Sequence, residues 1–350
     1  MRWLRRGKRG RYAVTLLALL AALAAASVAG VVLGPSDQPL PTVVRALEDG
    51  LRAVVGGPAA PDDALHTIVL QIRLPRVILG CLVGACLALA GVIMQALFQN
   101  PMADPYVVGV SGGAALGAVA AMMLGIEIDV AGYTAVPILA FVGALTVTAL
   151  VYVLAQQGGR IHTATLLLTG IAIGSLTASL TALLMLSRDQ NLQGVITWML
   201  GSLSGRRWLH VYALLPQFAL GMGVALVVAR PLNVLLLGDE AAANVGLDVH
   251  RTRRWLLAVS SLLAAAAVAV SGVIGFVGLV VPHVCRLLVG PDHRILIPVS
   301  ALAGALLMVL ADIVARLALQ SGELPIGIIT SILGCPFFLY LLHRHGAKRL

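Results

Sequence analysis

The stretch RWLLAVSSLLAAAAVAVSGVIGFVGLVVPHVCRLLVG (254–290) carries no Asp, Glu, Lys or Arg between Arg254 and Arg286. As one helix its 37 residues would reach about 55 Å at 1.5 Å per residue, far beyond the roughly 30 Å of hydrocarbon in a bilayer. Ser271, Gly272, Gly275 and Gly278 supply a place to turn, so the stretch reads as two short crossings, at 255–271 and 273–289. A chain that devotes this much sequence to uncharged apolar residues is built for lipid.

Composition agrees. With 350 residues, 59% hydrophobic and 11% charged, and a mean hydropathy of +0.98, no single soluble core could hide the apolar surface. The apolar residues are contiguous rather than alternating, which excludes a β-barrel and predicts a polytopic helix bundle. The net charge of +9 does not indicate nucleic-acid binding, because the basic residues fall in short segments between apolar runs. Cys81, Cys86, Cys285 and Cys335 all lie in apolar runs, without zinc or redox spacing, and read as small buried hydrophobes.

Ten spans are expected: 13–33, 75–98, 106–124, 134–156, 163–186, 209–229, 255–271, 273–289, 295–318 and 325–343. The first follows a basic tail, residues 1–12, and reads as an uncleaved helix rather than a signal peptide, because its apolar run is long and more spans follow. Residues 34–72, with five prolines and several acids, form an external loop with a short helix near 43–55. Residues 187–208 hold an apolar patch too short to span and read as a half-helix at the outer face. If odd-numbered spans run outward, sixteen of the 24 Lys and Arg residues lie inside, which supports two cytoplasmic ends. Arg73, Arg76 and Arg316 are then on the unexpected, outer side. AGVIMQALFQNP (90–101) and SGVIGFVGLVVP (271–282) share a Gly-Val-Ile start and a Pro at the same offset, a faint internal echo of the kind transporters carry.

Running into the opening stretch is a polar island at residues 230–254, RPLNVLLLGDEAAANVGLDVHRTRR. On this topology it is a cytoplasmic loop. No G-x-x-x-x-G-K-[ST] phosphate-binding loop and no H-E-x-x-H metal pair occurs in the chain, so it does not cradle ATP and carries no recognisable metallohydrolase site. If it does work, the energy enters through another subunit.

RLPR (73–76), GVIMQALFQNPMADPYVVGVSGGA (91–114), WMLGSLSG (198–205), LGDEAAANVGL (237–247), GFVGLVVPHVCRLLVGPDHR (275–294), ADIVARL (311–317) and ELPIGIITSILGCPFF (323–338), in this order, resemble the FecCD-type permease family of ABC importers, which takes up iron-siderophores, haem and cobalamin. The match runs from about residue 65 to the end. The resemblance implies an all-α membrane protein of ten transmembrane helices with the type II ABC importer permease fold, a single permease domain over 13–350. It implies a homodimer, two separate cytoplasmic ATPase subunits that use the ATP, a periplasmic substrate-binding protein, and residence among the lipids of the bacterial inner membrane.

Site residues follow from the same resemblance. It places the contact with the ATPase at Gly238, Asp239, Glu240, Ala241, Ala242, Ala243, Asn244 and Gly246, in a loop that the family folds as two short helices. Asp239 and Glu240 suit a helix start and Gly246 a helix end; the plain alternative is a polar loop held inside by its arginines. Arg73, Arg76 and Arg316 match arginines that receive carboxylates of the binding protein, against the alternative of an Asp312–Arg316 pair one helical turn apart and interfacial arginines that snorkel. Asn100 and Met102, with His162 and Thr163, are expected at a cytoplasmic gate, although the prolines at 101 and 105 also mark an ordinary turn. Met185, Arg188, Trp198 and Met199 are candidates for cargo contact. His283 and Arg286 read as structural at the inner end of span eight. Glycines at four-residue spacing, Gly80 and Gly84 or Gly109, Gly113 and Gly117, indicate close helix packing.

The expected function is transport without chemistry: an importer permease for a metal chelate, with haem ranked first, ferric siderophore second and cobalamin third. No permanently bound cofactor or metal and no nucleic-acid partner are expected. An ion-coupled secondary transporter is the alternative, and it requires buried acids at mid-membrane, for which Asp312 is the nearest candidate.

Overall fold

The computed structural model describes residues 2–34, 39–56, 63–129, 132–157, 160–161, 163–187, 192–319 and 322–346. The helices are α1 (Arg2–Val32), α2 (Leu40–Val54), α3 (Ala64–Leu97), α4 (Val110–Leu124), α5 (Ala135–Ala155), α6 (Thr163–Leu186), α7 (Leu192–Met199), α8 (Trp208–Val227), α9 (Ala229–Leu235), α10 (Asp239–Asn244), α11 (Val249–Ser271), α12 (Val277–Val289), α13 (His293–Leu317) and α14 (Ile326–Gly346). Seven are long and apolar enough to cross a membrane, and α4, α12 and α14 are shorter apolar helices. These ten helices occupy the ten stretches expected as spans. An antiparallel ladder of two residues per strand, β1 (Gln156–Gln157) with β2 (Arg160–Ile161), was not anticipated in the connection before α6.

The bundle is assembled around α3. Its most apolar 18-residue window is 89% buried, and it packs against α8, α11, α12 and α13. A helix apolar on every side can be satisfied only in the middle of a bundle. Pro75 cannot donate to the turn before it, and the helix accommodates this with a π-helical passage over Thr67–Arg73. Glycines set the approach of the neighbours. A methyl group on Gly84 would strike the Gly304 carbonyl in α13, and one on Gly91 would strike the Gly278 carbonyl in α12. The expected glycine packing on α4 is present too, Gly113 lying against Gly143 and Gly117 against Leu139 of α5.

Two expected spans are shorter than the sequence suggests. The crossings placed at 106–124 and 273–289 become helices Val110–Leu124 and Val277–Val289, the second only about 20 Å long at 1.5 Å per residue. The remaining depth is covered by a 3₁₀ turn, Pro105–Val108, and by non-helical backbone at 272–276. The segments meet beside the last third of α3: the Tyr106 hydroxyl donates to the Ile274 carbonyl at 3.0 Å, Pro105 lies next to Gly278, and the Gln95 amide donates to the Leu279 carbonyl at 3.0 Å. Free backbone at this depth is tolerated when protein supplies the hydrogen bonds. Gly272 (φ 71°) and Phe276 (φ 67°) make the turn in the left-handed region, so the break falls at the first of the positions expected from sequence. The sequence echo thus marks two segments that lie side by side, α3 from Gly91 and the entry to α12.

Of the cysteines, Cys86 and Cys285 are buried, Cys81 is partly so, and Cys335 is exposed on α14, which departs from the expectation for that residue.

Gly91→Val should therefore lower the thermal midpoint of the purified protein by an amount equivalent to about 1–3 kcal/mol or prevent its recovery, because overpacking cannot relax against backbone. Gly223→Ala, where an added methyl meets nothing within 4 Å, should leave the midpoint unchanged or slightly raised in the same detergent melt.

Candidate functional site

The island at 230–254 folds as two short helices, α9 and α10, followed by the first turn of α11. Gly238 (φ 98°) turns the chain between α9 and α10, and Gly246 (φ 85°) ends α10, its N–H donating to the Ala243 carbonyl at 2.9 Å while that of Leu247 reaches the Ala242 carbonyl at 3.1 Å. Asp239 and Glu240 occupy the first turn of α10, where carboxylates are favoured by the helix dipole. Ala242 is fully buried and anchors the helix, whereas Ala241 is half-buried and Asp239, Glu240, Ala243 and Asn244 are exposed. The element is also fixed at its start: the Asn233 amide donates to Asp292 at 2.7 Å and its oxygen accepts from the His293 N–H at 2.9 Å.

Asp239 is the hub of this end of the bundle. It accepts from Arg253 at 2.8 Å and from the Gln99 amide at 3.2 Å, and Gln99 also donates to the Leu235 carbonyl at 3.0 Å. Gln99 stands at the end of α3 with φ 50°, a left-handed conformation uncommon for its residue type. Its residue type gives Gln99 no role; only its conformation and partners single it out. Leu237 and Val245, not among the residues expected at the contact, flank α10 with 70% and 67% of their surface exposed.

Of the expected gate residues, Asn100 accepts from the Met102 N–H at 2.9 Å and so shapes the turn next to Gln99. Thr163, the first residue of α6, shares a small crevice with Phe98 and Arg253. His162 lies outside the described residues, as does Arg188 of the expected cargo contacts. Met185 and Met199 pack against Val119, Met123 and Val195 in a small apolar cluster, and Trp198 is 94% buried in the wall of a cavity of about 530 Å³. Both methionines are only partly buried.

At the other end of α3, Arg73, Arg76 and Arg316 are only 4%, 7% and 5% exposed. Arg76 holds Asp312 at 2.8 Å and grips Glu323 with two parallel bonds of 2.8 and 2.9 Å. Arg316 holds the second oxygen of Asp312 at 3.1 Å and donates to the carbonyls of Leu33 and Gly30, both at 2.9 Å. Arg73 donates to the carbonyls of Val31 and Val32 at 3.0 and 2.7 Å. Two arginines thus cap the carboxyl end of α1, where helix carbonyls lack partners and positive charge is favoured. The cluster joins α1, α3, α13 and the 322–325 segment. Its arginines do not stand open to an incoming carboxylate, because the chain fills them with its own groups. Glu323 is the least buried acid of the set, with a quarter of its side chain exposed. Burial opposes its ionisation, but the hydrogen bonds and charge of Arg76 outweigh it and hold the carboxyl below its ordinary range.

Among the described residues no group of three or more His, Cys, Asp and Glu side chains is placed to hold a metal ion. His283 is buried in α12.

A model of the FecCD transport family matches residues 11–344. The chain is 49% identical over 290 residues to the cobalamin import system permease protein of Halobacterium salinarum, covering 83% of this chain and 77% of that one. It is 44% identical over 295 residues to the hemin transport system permease protein of Yersinia pestis, covering 82% and 86%. A solved structure described as an inward-facing conformation of a metal-chelate type ABC transporter superposes with a TM-score of 0.79 at 29% identity, over 94% of this chain and 98% of that one.

Asp312→Ala should destabilise the protein by about 3–5 kcal/mol, because it strands two buried guanidinium groups, and Glu323→Gln should cost less; thermal unfolding in detergent reads both. A carboxyl with a lowered folded pKa contributes stability above its unfolded pKa and loses it as pH falls through the folded value. Between pH 5 and pH 3 the parent protein should therefore lose more stability than Glu323→Gln does.

Proposed function

We propose a function from one premise, that the chain belongs to the FecCD transport family: it is the membrane-spanning subunit of a binding-protein-dependent ABC importer for a metal chelate. Two copies would enclose the pathway, separate ATPase subunits would bind at the α9–α10 end, and a substrate-binding protein would dock at the arginine end. The multi-pass chain would lie in the bacterial inner membrane with both termini in the cytoplasm. ATP binding and hydrolysis would then open the pathway to one face and afterwards to the other.

The observation that carries this reading is the construction of α9 and α10. A short, well-anchored pair of helices presents exposed Leu237 and Val245 beside exposed Glu240, an apolar patch with a polar rim of the kind that protein partners cover. Gln99 ties that pair through Asp239 and the Leu235 carbonyl to the end of α3 and the Asn100–Met102 turn. A push on α10 therefore reaches the proposed gate through hydrogen bonds. The dimer is supported by α6 and α14, which expose Leu168, Ile171 and Leu183 on one and Ile332, Leu333 and Leu339 on the other; α6 also carries the exposed hydroxyls of Ser175 and Ser179, which suit a wet pathway.

The cargo is proposed as a class. The named relatives carry cobalamin and hemin permease names, which span more than one chelate. An ion-coupled mechanism is not favoured, because Asp312 is neutralised by Arg76 and Arg316 near the end of α13.

In proteoliposomes holding the permease, its ATPase and the binding protein, the double variant Leu237→Asp, Val245→Asp should abolish co-purification of the ATPase and ATP-driven uptake. Asp239→Ala should keep the ATPase bound while lowering uptake per ATP hydrolysed by about tenfold or more, since about 1.4 kcal/mol of lost coupling is a factor of ten. Uptake that is unchanged in both variants would rule out this coupling element. At the other end, docking at Arg76 would require a carboxylate of the binding protein to replace Glu323. Glu323→Gln should therefore raise the affinity of the binding protein for the detergent-solubilised permease at low salt, and Arg76→Gln should lower it.

A further inference from the structure

The cavity of about 530 Å³ beside Trp198 lies at the end of the bundle where α4 stops and α5 starts, remote from α9 and α10. Its volume is in the range of small-molecule sites. Its lining combines apolar Met122, Val136 and Pro137 with Arg206, Ser202 and Trp198. No acid lines it. Arg206 is partly buried, its Nε is buried without a hydrogen-bond partner, and no carboxylate among the described residues pairs with it. The indole N–H of Trp198 is likewise buried without an acceptor. Glu323 touches Ser204, but both its oxygens are already taken by Arg76.

The polar part of the lining is preformed. The Ser202 N–H donates to the Ser271 carbonyl at 2.7 Å and the Ser202 hydroxyl accepts from the Ser204 N–H at 3.0 Å. The carbonyls of Gly201 and Leu200 accept from the N–H groups of Ile326 and Gly327 at 2.8 and 3.0 Å. The segment between α7 and α8 is thus pinned to the end of α11 and the start of α14. A rigid lining holding a guanidinium and an indole donor without an acceptor matches an anion, since a partly buried cation is costly until it is paired. The apolar part of the lining matches a hydrophobic body attached to that anion.

We propose that this cavity binds an amphipathic anion, an apolar or aromatic body carrying a carboxylate or phosphate that pairs with Arg206 and accepts from Trp198. The proposal does not depend on the transport reading. A free organic carboxylate and an anionic lipid headgroup share this chemistry, and the experiment separates them.

The full-length protein, purified as it assembles in the membrane, is titrated calorimetrically in zwitterionic detergent with 1-naphthoate and with neutral 1-naphthamide. Retention of phosphatidylglycerol against phosphatidylcholine is read in parallel by native mass spectrometry. Naphthoate should bind at least about tenfold more tightly than naphthamide, as expected for a charge-assisted pair. Arg206→Gln should weaken it by a similar factor, Arg206→Lys should restore part of the affinity, and Arg207→Gln, at an exposed neighbour, should change it less than about twofold. Retention of phosphatidylglycerol that Arg206→Gln abolishes, without naphthoate binding, would identify the lipid headgroup as the anion. The unliganded thermal midpoint shows that each variant is folded. Equal binding of acid and amide, an unaltered Arg206→Gln, or a folded parent protein that takes up neither anion would overturn the proposal.

Discussion

A peptide group at mid-membrane has no water to bond to, and this constraint governs how the bundle is built. Every stretch that leaves helical geometry at depth must find its partners in protein. Here the two such stretches, Pro105–Val108 and 272–276, satisfy each other through Tyr106 and Ile274. They can do so only because Gly91 lets Gly278 come against the backbone of α3. A side chain at either glycine would force the free backbone apart and leave its polar groups in a setting where each costs several kcal/mol.

The same helix joins the two candidate sites. Arg73 and Arg76 stand where the π-helical passage of α3 gives way to regular helix, among the carboxylates and the end of α1, and Gln99 stands just past its finish, against α9 and α10. Between them α3 is buried nearly throughout and locked by glycine contacts, so it is suited to transmit displacement as a rigid body rather than absorb it. The ion cluster at one end and the Gln99–Asp239–Arg253 chain at the other are both bonded to loops as well as to helices. Each can therefore change partner without unfolding the core, which is the kind of discrete rearrangement that couples distant sites.

Much of the fold was legible because lipid imposes a length and a polarity on every span. The apolar runs, the turn at Ser271 and Gly272, the short helix over Leu40–Val54 and the end of α10 at Gly246 could all be read from residue types. The candidate site was legible where backbone chemistry demands a residue, as with the acids that open α10. It was not legible where the signal is a partner. Nothing in RLPR indicates that Arg76 will be gripped by Glu323, 247 positions away, and nothing near Gln99 points to Asp239. Met185 and Met199 are packed on one side and open on another, and apolar composition does not say which side of a helix meets protein and which meets lipid or a second copy.

The sequence by itself determined that this is a membrane helix bundle, where its helices lie, and which segment is too polar to stay in lipid, because transfer of residues between water and hydrocarbon is a local property. It also carried the family, through ordered motifs spread over most of the chain. Only the tertiary structure decided that two crossings are part helix and part free backbone, that the three arginines already hold groups of this chain, and that among the described residues no carboxylate pairs with Arg206. Those outcomes depend on hydrogen bonds and charge pairs between residues far apart in the chain, which become neighbours only when the helices pack.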